Sequence, residues 1–141
     1  MTRVLHEHIV VSSRHSAVKF AEHKLKSVLD RINITASQEH NLLVAASEAV
    51  SNAVVHGNKN DPKKKVLLDV NYDEREITVE VQDEGRGFNP TNVPDPLLPE
   101  NLMKPSGRGI HIMKSLMDKV KFEFTPKGTR TIMKLKLGKT K

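Results

Sequence analysis

The chain has 141 residues, 37% of them apolar and 28% charged, with a net charge of +6, the profile of one soluble globular domain over residues 1–141. It has no cysteine, which excludes a disulfide framework and a thiolate metal site. No apolar run approaches the ~18 residues of a membrane span and no signal-peptide pattern opens the chain, so a cytoplasmic protein without membrane contact is expected.

Val4 to Val11 reads as a first strand. Ser12-Ser13 offers an N-cap, and Val18, Ala21, Leu25, Val28, Leu29 and Ile32 recur at helical spacing, which predicts a helix over 14–32. Asn33-Ile34-Thr35 breaks it. Ser37, with His40 in the N3 place of a capping box, predicts a second helix that runs to about His56, with Gly57 as its C′ residue. Asn58 to Lys63 is a polar turn. Val66, Leu68, Val70 and Tyr72 alternate, Asp73-Glu74-Arg75 turns the chain, and Ile77, Val79 and Val81 alternate again, so a hairpin is predicted.

Five of the seven prolines fall between Pro90 and Pro105. No helix or strand survives that density, and a long loop inside a compact domain is usually functional. Helical spacing returns from Gly107 to Met117. Val120–Phe124 and Thr131–Leu137 read as two closing strands. The order β-α-α-β-β-loop-α-β-β predicts an α+β fold, a two-layer α/β sandwich with helices on one face of a mostly antiparallel sheet.

Lys63-Lys64-Lys65 and the tail Lys134, Lys136, Lys139, Lys141 are basic. The tail lysines alternate with Leu135 and Leu137, as on the wet face of a strand. Aromatics are only 4%, too few to stack single strands, so nucleic acid is not an expected partner. A positive surface also suits an acidic protein or a polyphosphate.

Glu48, Asn52 and His56 recur every four residues among alanines and valines, so on an α-helix they stack into one polar ridge. A wet helix face is one reading, although such a face normally carries lysine and arginine. A ligand site is the other. An amide oxygen suits Mg²⁺, and a carboxylate one turn away can deprotonate a hydroxyl. Asp83 ends a strand, where it suits an exocyclic amine, and Gly85 and Gly87 let the backbone approach a flat ligand. A plain turn explains the same residues. Gly107 and Gly109 stand before a helix, where amides favour anions, and Arg108 adds a fork for phosphate oxygens. A lid hinge is the alternative. Lys127-Gly128-Thr129 is by itself a turn and a strand start.

Helix ExxxN, strand-end DxGxG, proline-rich loop, GxG at a helix start and GT before a strand, in that order, resemble the GHKL or Bergerat-fold ATPase superfamily along nearly the whole chain. The resemblance implies an ATP site, an ATP lid from about 90 to 106, Asn52 as the Mg²⁺ ligand and Glu48 as catalytic base. It implies Asp83 on the adenine amino group with Thr129 in support, Gly85 and Gly87 beside it, Gly107, Arg108 and Gly109 on the phosphates, and His56 near the ribose or phosphates. EAVSNAVVHG, SGRGIHIMKSLMDKVKF and Lys127-Gly128-Thr129 are similar to the stand-alone anti-sigma factor serine/threonine kinases of bacteria. That branch implies an enzyme that sequesters a sigma factor and phosphorylates an anti-anti-sigma (STAS-type) protein on Ser or Thr, commonly as a homodimer. The alternative is a non-catalytic, nucleotide-dependent binding module of the same fold. Leu97-Leu98 and Leu102-Met103 in the lid suit either a partner contact or packing over the nucleotide.

Overall fold

The computed structural model describes residues 4–14, 16–85 and 105–137, without the side chains of residues 105–108. Its elements are β1 (Leu5–Ser12), α1 (Ala17–Leu29), α2 (Ala36–Asn52) continued by a π-helical turn (Ala53–Gly57), β2 (Lys65–Asp73), β3 (Glu76–Gln82), α3 (Pro105–Leu116), β4 (Lys119–Thr125) and β5 (Gly128–Lys136). The lid expected at about 90–106 lies outside the described residues up to 104, and Pro105 and Ser106 already belong to α3. Gly87 and the apolar lid pairs also lie outside them.

Period-2 alternation builds the sheet. Val66, Leu68, Val70 and Tyr72 of β2 and Ile77, Val79 and Val81 of β3 are buried on one face, because successive side chains of a strand point to opposite sides. The strand order is β1-β2-β3-β5-β4, and every neighbouring pair is antiparallel. The buried face meets Ala21, Leu25 and Leu29 of α1, Leu42, Ala45, Ala49 and Val50 of α2, and Met113 of α3 in one core. α2 packs against both other helices. Its small residues at 45, 46, 49 and 53 allow that close central position. The fold is the α+β two-layer sandwich expected from the sequence.

Local differences have local causes. α1 starts at Ala17, and its N-cap is Ser16 without a side-chain cap bond. Ser12 and Ser13 are diverted: Ser12 Oγ donates to Pro62 O at 2.9 Å, and Ser13 is buried. The second helix is capped by Thr35, not Ser37. Thr35 Oγ1 accepts from Gln38 N–H at 3.0 Å, and Gln38 Oε1 accepts from Thr35 N–H at 2.9 Å, a reciprocal capping box with Gln38, not His40, at N3.

Gly57 is not the left-handed residue after that helix. The left-handed backbone lies at Lys59 (φ 52°) and Asn60 (φ 60°). The chain reaches them through the π turn, in which Asn58 N–H donates to Ala53 O at 2.8 Å, an i→i+5 bond.

Candidate functional site

The C-terminal end of α2, the end of β3, the start of β5 and the start of α3 meet at one end of the sandwich. Asp83 follows β3 and is 5% exposed. Its Oδ1 accepts the N–H groups of Gly85 at 2.9 Å and Thr129 at 3.0 Å, and its own N–H donates to Thr129 O at 3.1 Å. Among the described residues Oδ2 takes no such bond. Burial pushes the Asp83 carboxyl above the usual carboxylate range, against the pull of the two N–H donors and the Lys64 charge.

Three glycines make this packing possible. A Cβ on Gly57 would fall inside the Asp83 carboxylate, and one on Gly85 would run into the carbonyl of Gly57. Gly128 (φ +148°) would place a Cβ 2.8 Å from Asp83 Oδ1. The residue expected to cap a helix therefore works as a contact glycine. Beside the carboxylate, Thr129 Oγ1 is buried without a hydrogen-bond partner among the described residues. A buried orphan hydroxyl is costly, so a ligand group at this point would relieve it. A carboxylate and a free hydroxyl side by side fit the amino edge of a purine.

Glu48 and Asn52 lie one turn apart on α2, half-buried, with no side-chain hydrogen bond or ion pair among the described residues. Both reach the start of α3. The Cβ position of Gly109 is 2.7 Å from Glu48 Oε1 and 3.8 Å from Asn52 Nδ2. The carboxylate thus occupies the space that a side chain at 109 would fill. Gly107 and Arg108 stand inside the first turn of α3 and Gly109 just after it, rather than before the helix, since the helix starts at Pro105, a favoured residue for a first turn. The turn's free amides still face the helix start. An acid, an amide oxygen and anion-favouring amides fit a Mg²⁺-nucleotide phosphate chain.

His56 is not on the ridge with Glu48 and Asn52 as a continuous α-helix would have it. The helix widens to π geometry at Ala53, which shifts the stacking, and His56 is exposed. Asp83, Gly85, Gly109 and Thr129 therefore join Glu48 and Asn52 at this end, while His56 is exposed on the π turn next to Gly57.

The sequence reading missed Asn58. Its side chain, in a residue 1% exposed, donates to Ser13 Oγ at 2.6 Å and Lys65 O at 2.9 Å and accepts the Glu84 N–H at 2.7 Å. It ties β1, β2 and the Asp83–Gly85 turn to the π turn. An asparagine in a polar turn gives no sequence signal for this role. Asn58→Ala strands these buried partners and is expected to cost about 2–4 kcal/mol, measured as a fall in the urea midpoint. An unchanged midpoint would mean that water replaces the side chain.

Residues 11–135 match the Histidine kinase-like ATPase domain family. The anti-sigma F factor of Clostridium acetobutylicum is 35% identical over 124 residues, covering 84% of this chain and 85% of the relative. The anti-sigma F factor of Geobacillus thermodenitrificans is 31% identical over 139 residues, covering 95% and 94%. A solved structure of the RsbU and RsbW domains of Rv1364c from Mycobacterium tuberculosis superposes with a TM-score of 0.70 at 19% identity, over 94% of this chain and 32% of that one. This last likeness concerns the fold.

Proposed function

The chain belongs to the histidine kinase-like ATPase family, and from that premise we propose that it is an ATP- and Mg²⁺-dependent serine/threonine kinase of the anti-sigma factor type. In this reading it acts in the cytoplasm, holds a sigma factor and phosphorylates a STAS-type anti-anti-sigma protein on Ser or Thr. The observation that carries the proposal is the half-buried pair Glu48 and Asn52, without a side-chain hydrogen bond or ion pair among the described residues and facing Gly109 near the start of α3. The names of the relatives support the regulatory half. A homodimer agrees with the proposal but is not required by it.

ATP supplies the transferable phosphoryl group, and Mg²⁺ the charge that neutralises it. Asp83 and Thr129 orient the base edge. Asn52 would offer its amide oxygen to the metal, and the first-turn amides of α3 with Arg108 would hold the phosphate oxygens. Glu48 would take the proton of the substrate hydroxyl as that oxygen bonds to the γ-phosphorus of ATP and the bond from that phosphorus to the bridging oxygen breaks, leaving ADP. His56, exposed on the π turn, would lie near the ribose or phosphates.

Calorimetry of ATP binding with and without Mg²⁺ tests the site. Asn52→Ala is expected to lose the Mg²⁺-dependent part of the affinity. Glu48→Gln is expected to keep ATP binding and to lower phosphoprotein formation about 100-fold or more, read with labelled ATP and a STAS-type substrate. Binding of ATP by the wild type without phosphotransfer to any such substrate would favour a nucleotide-dependent binding module instead. No ATP binding at all would sink both readings.

A further inference from the structure

The ion pairs of the described residues gather in two places. At one end of α1, Lys26 meets Asp30 and Glu39, and Arg31 meets Glu7. On the open face of the sheet, Asp69 meets His6 and His8, Arg130 meets Glu80 and Glu123, Lys121 meets Glu123, and Lys134 meets Glu76. A third basic region has no ion pair among the described residues. It holds Arg14, Lys59, Lys63, Lys64 and Lys65, all exposed except the half-buried Lys64.

These five cations come from three segments that the fold fastens together. Ser13 N–H donates to Lys64 O at 3.0 Å, Ser12 lies opposite Lys65 in the sheet, and Asn58 bonds both Ser13 Oγ and Lys65 O. Arg14, Lys59 and Lys63–Lys65 therefore share one corner. Carboxylates lie in the same corner but none forms an ion pair with these side chains: Asp61 accepts the Lys63 N–H at 3.0 Å, Glu84 accepts the Lys65 N–H at 2.7 Å, and the Lys64 charge acts on the buried Asp83, so the five cations outnumber these three carboxylates.

A second observation points the same way. Lys59 holds left-handed backbone (φ 52°), which asparagine tolerates and glycine prefers but lysine does not. The chain keeps a long cation where glycine would relieve strain, and such outliers cluster at functional surfaces.

We propose that this corner is a docking site for an acidic, Asp/Glu-rich segment of a partner protein, seated beside the Asp83 end of the candidate site. Charge complementarity selects the occupant. Four of the five cations are lysines, which act as hydrated point charges rather than phosphate forks. The segments 12–14 and 57–65 contain no aromatic residue on which a base would stack. The lack of aromatics disfavours a single-stranded nucleic acid. The site needs no phosphoryl transfer, so it stands or falls separately from the kinase reading.

The test is a titration of the ¹⁵N-labelled full chain with a peptide of ten glutamates, with Kd followed against salt. Shift changes are expected to centre on Arg14, Lys59 and Lys63–Lys65, with Kd rising as salt screens the charges. Lys63→Glu with Lys65→Glu is expected to weaken the peptide about tenfold. The matched pair Lys121→Glu with Lys134→Glu on the sheet face should leave it within about twofold. Equal weakening by both pairs, or shifts spread over every basic surface, would overturn the site. Tighter binding of a 20-nucleotide single-stranded DNA to the same residues would overturn the assignment of a protein partner.

Discussion

Asp83→Asn is expected to weaken ATP binding about 10- to 100-fold while leaving the protein as stable as before or more so. The loss follows from the ligand side: an asparagine that turns its amide nitrogen to the purine amino group opposes donor to donor, and a hydrogen bond to a charged group is worth about 1.5–3 kcal/mol. The stability follows from the protein side. Asparagine Oδ1 can keep both N–H bonds from Gly85 and Thr129. It also ends the burial of a charge.

The sign of the pH dependence agrees. The folded-state pKa of Asp83 is raised, chiefly by burial, so the folded protein holds this proton more tightly than the unfolded chain. Ionised Asp83 therefore costs stability at neutral pH, and the cost disappears as pH falls through the raised pKa. Relative to the variant, the wild type should gain stability on mild acidification. Urea midpoints from pH 7 down to pH 4, with ATP titrations at pH 7, test both halves. A variant that loses stability and affinity together would show that the carboxylate holds the fold rather than the ligand.

Gly57→Ala is expected to abolish measurable ATP binding and to cost about 1–3 kcal/mol in stability through overpacking. The added methyl would overlap the Asp83 carboxylate and lie 2.8 Å from Asp83 Cβ. Rotating the carboxylate does not clear it, because Cβ moves only with the backbone. Either the π turn or the end of β3 has to shift, and both carry the site.

Gly109→Ala provides the contrast. Its methyl would lie 2.7 Å from Glu48 Oε1, the far end of a side chain that can swing away. That variant should keep its urea midpoint and lose phosphotransfer. A Gly57→Ala protein with normal ATP affinity would show that Asp83 does not need this contact.

The layers of this fold are legible in the amino-acid sequence because burial follows period. Val66, Leu68, Val70 and Tyr72 alternate and are buried together, and Leu25, Val28 and Leu29 recur at helical spacing and face the same core. Glu48, Asn52, Asp83 and Gly109 are legible as candidates from residue type and spacing, Thr129 only through the family resemblance, and the structure brings all five to one end. What tertiary structure decided are the positions that answer to distant partners. Asn58 bonds Ser13 across 45 residues, and Asp83 bonds Thr129 across 46. Periodicity carries no record of such pairings. The π turn that takes His56 off the ridge, and the use of Gly57 as a contact glycine against Asp83, depend on where β3 ends against α2. A helix pattern read along the chain extrapolates 3.6 residues per turn to its last residue, whereas in the folded protein that last turn is shaped by the carboxylate and the asparagine it must pack against.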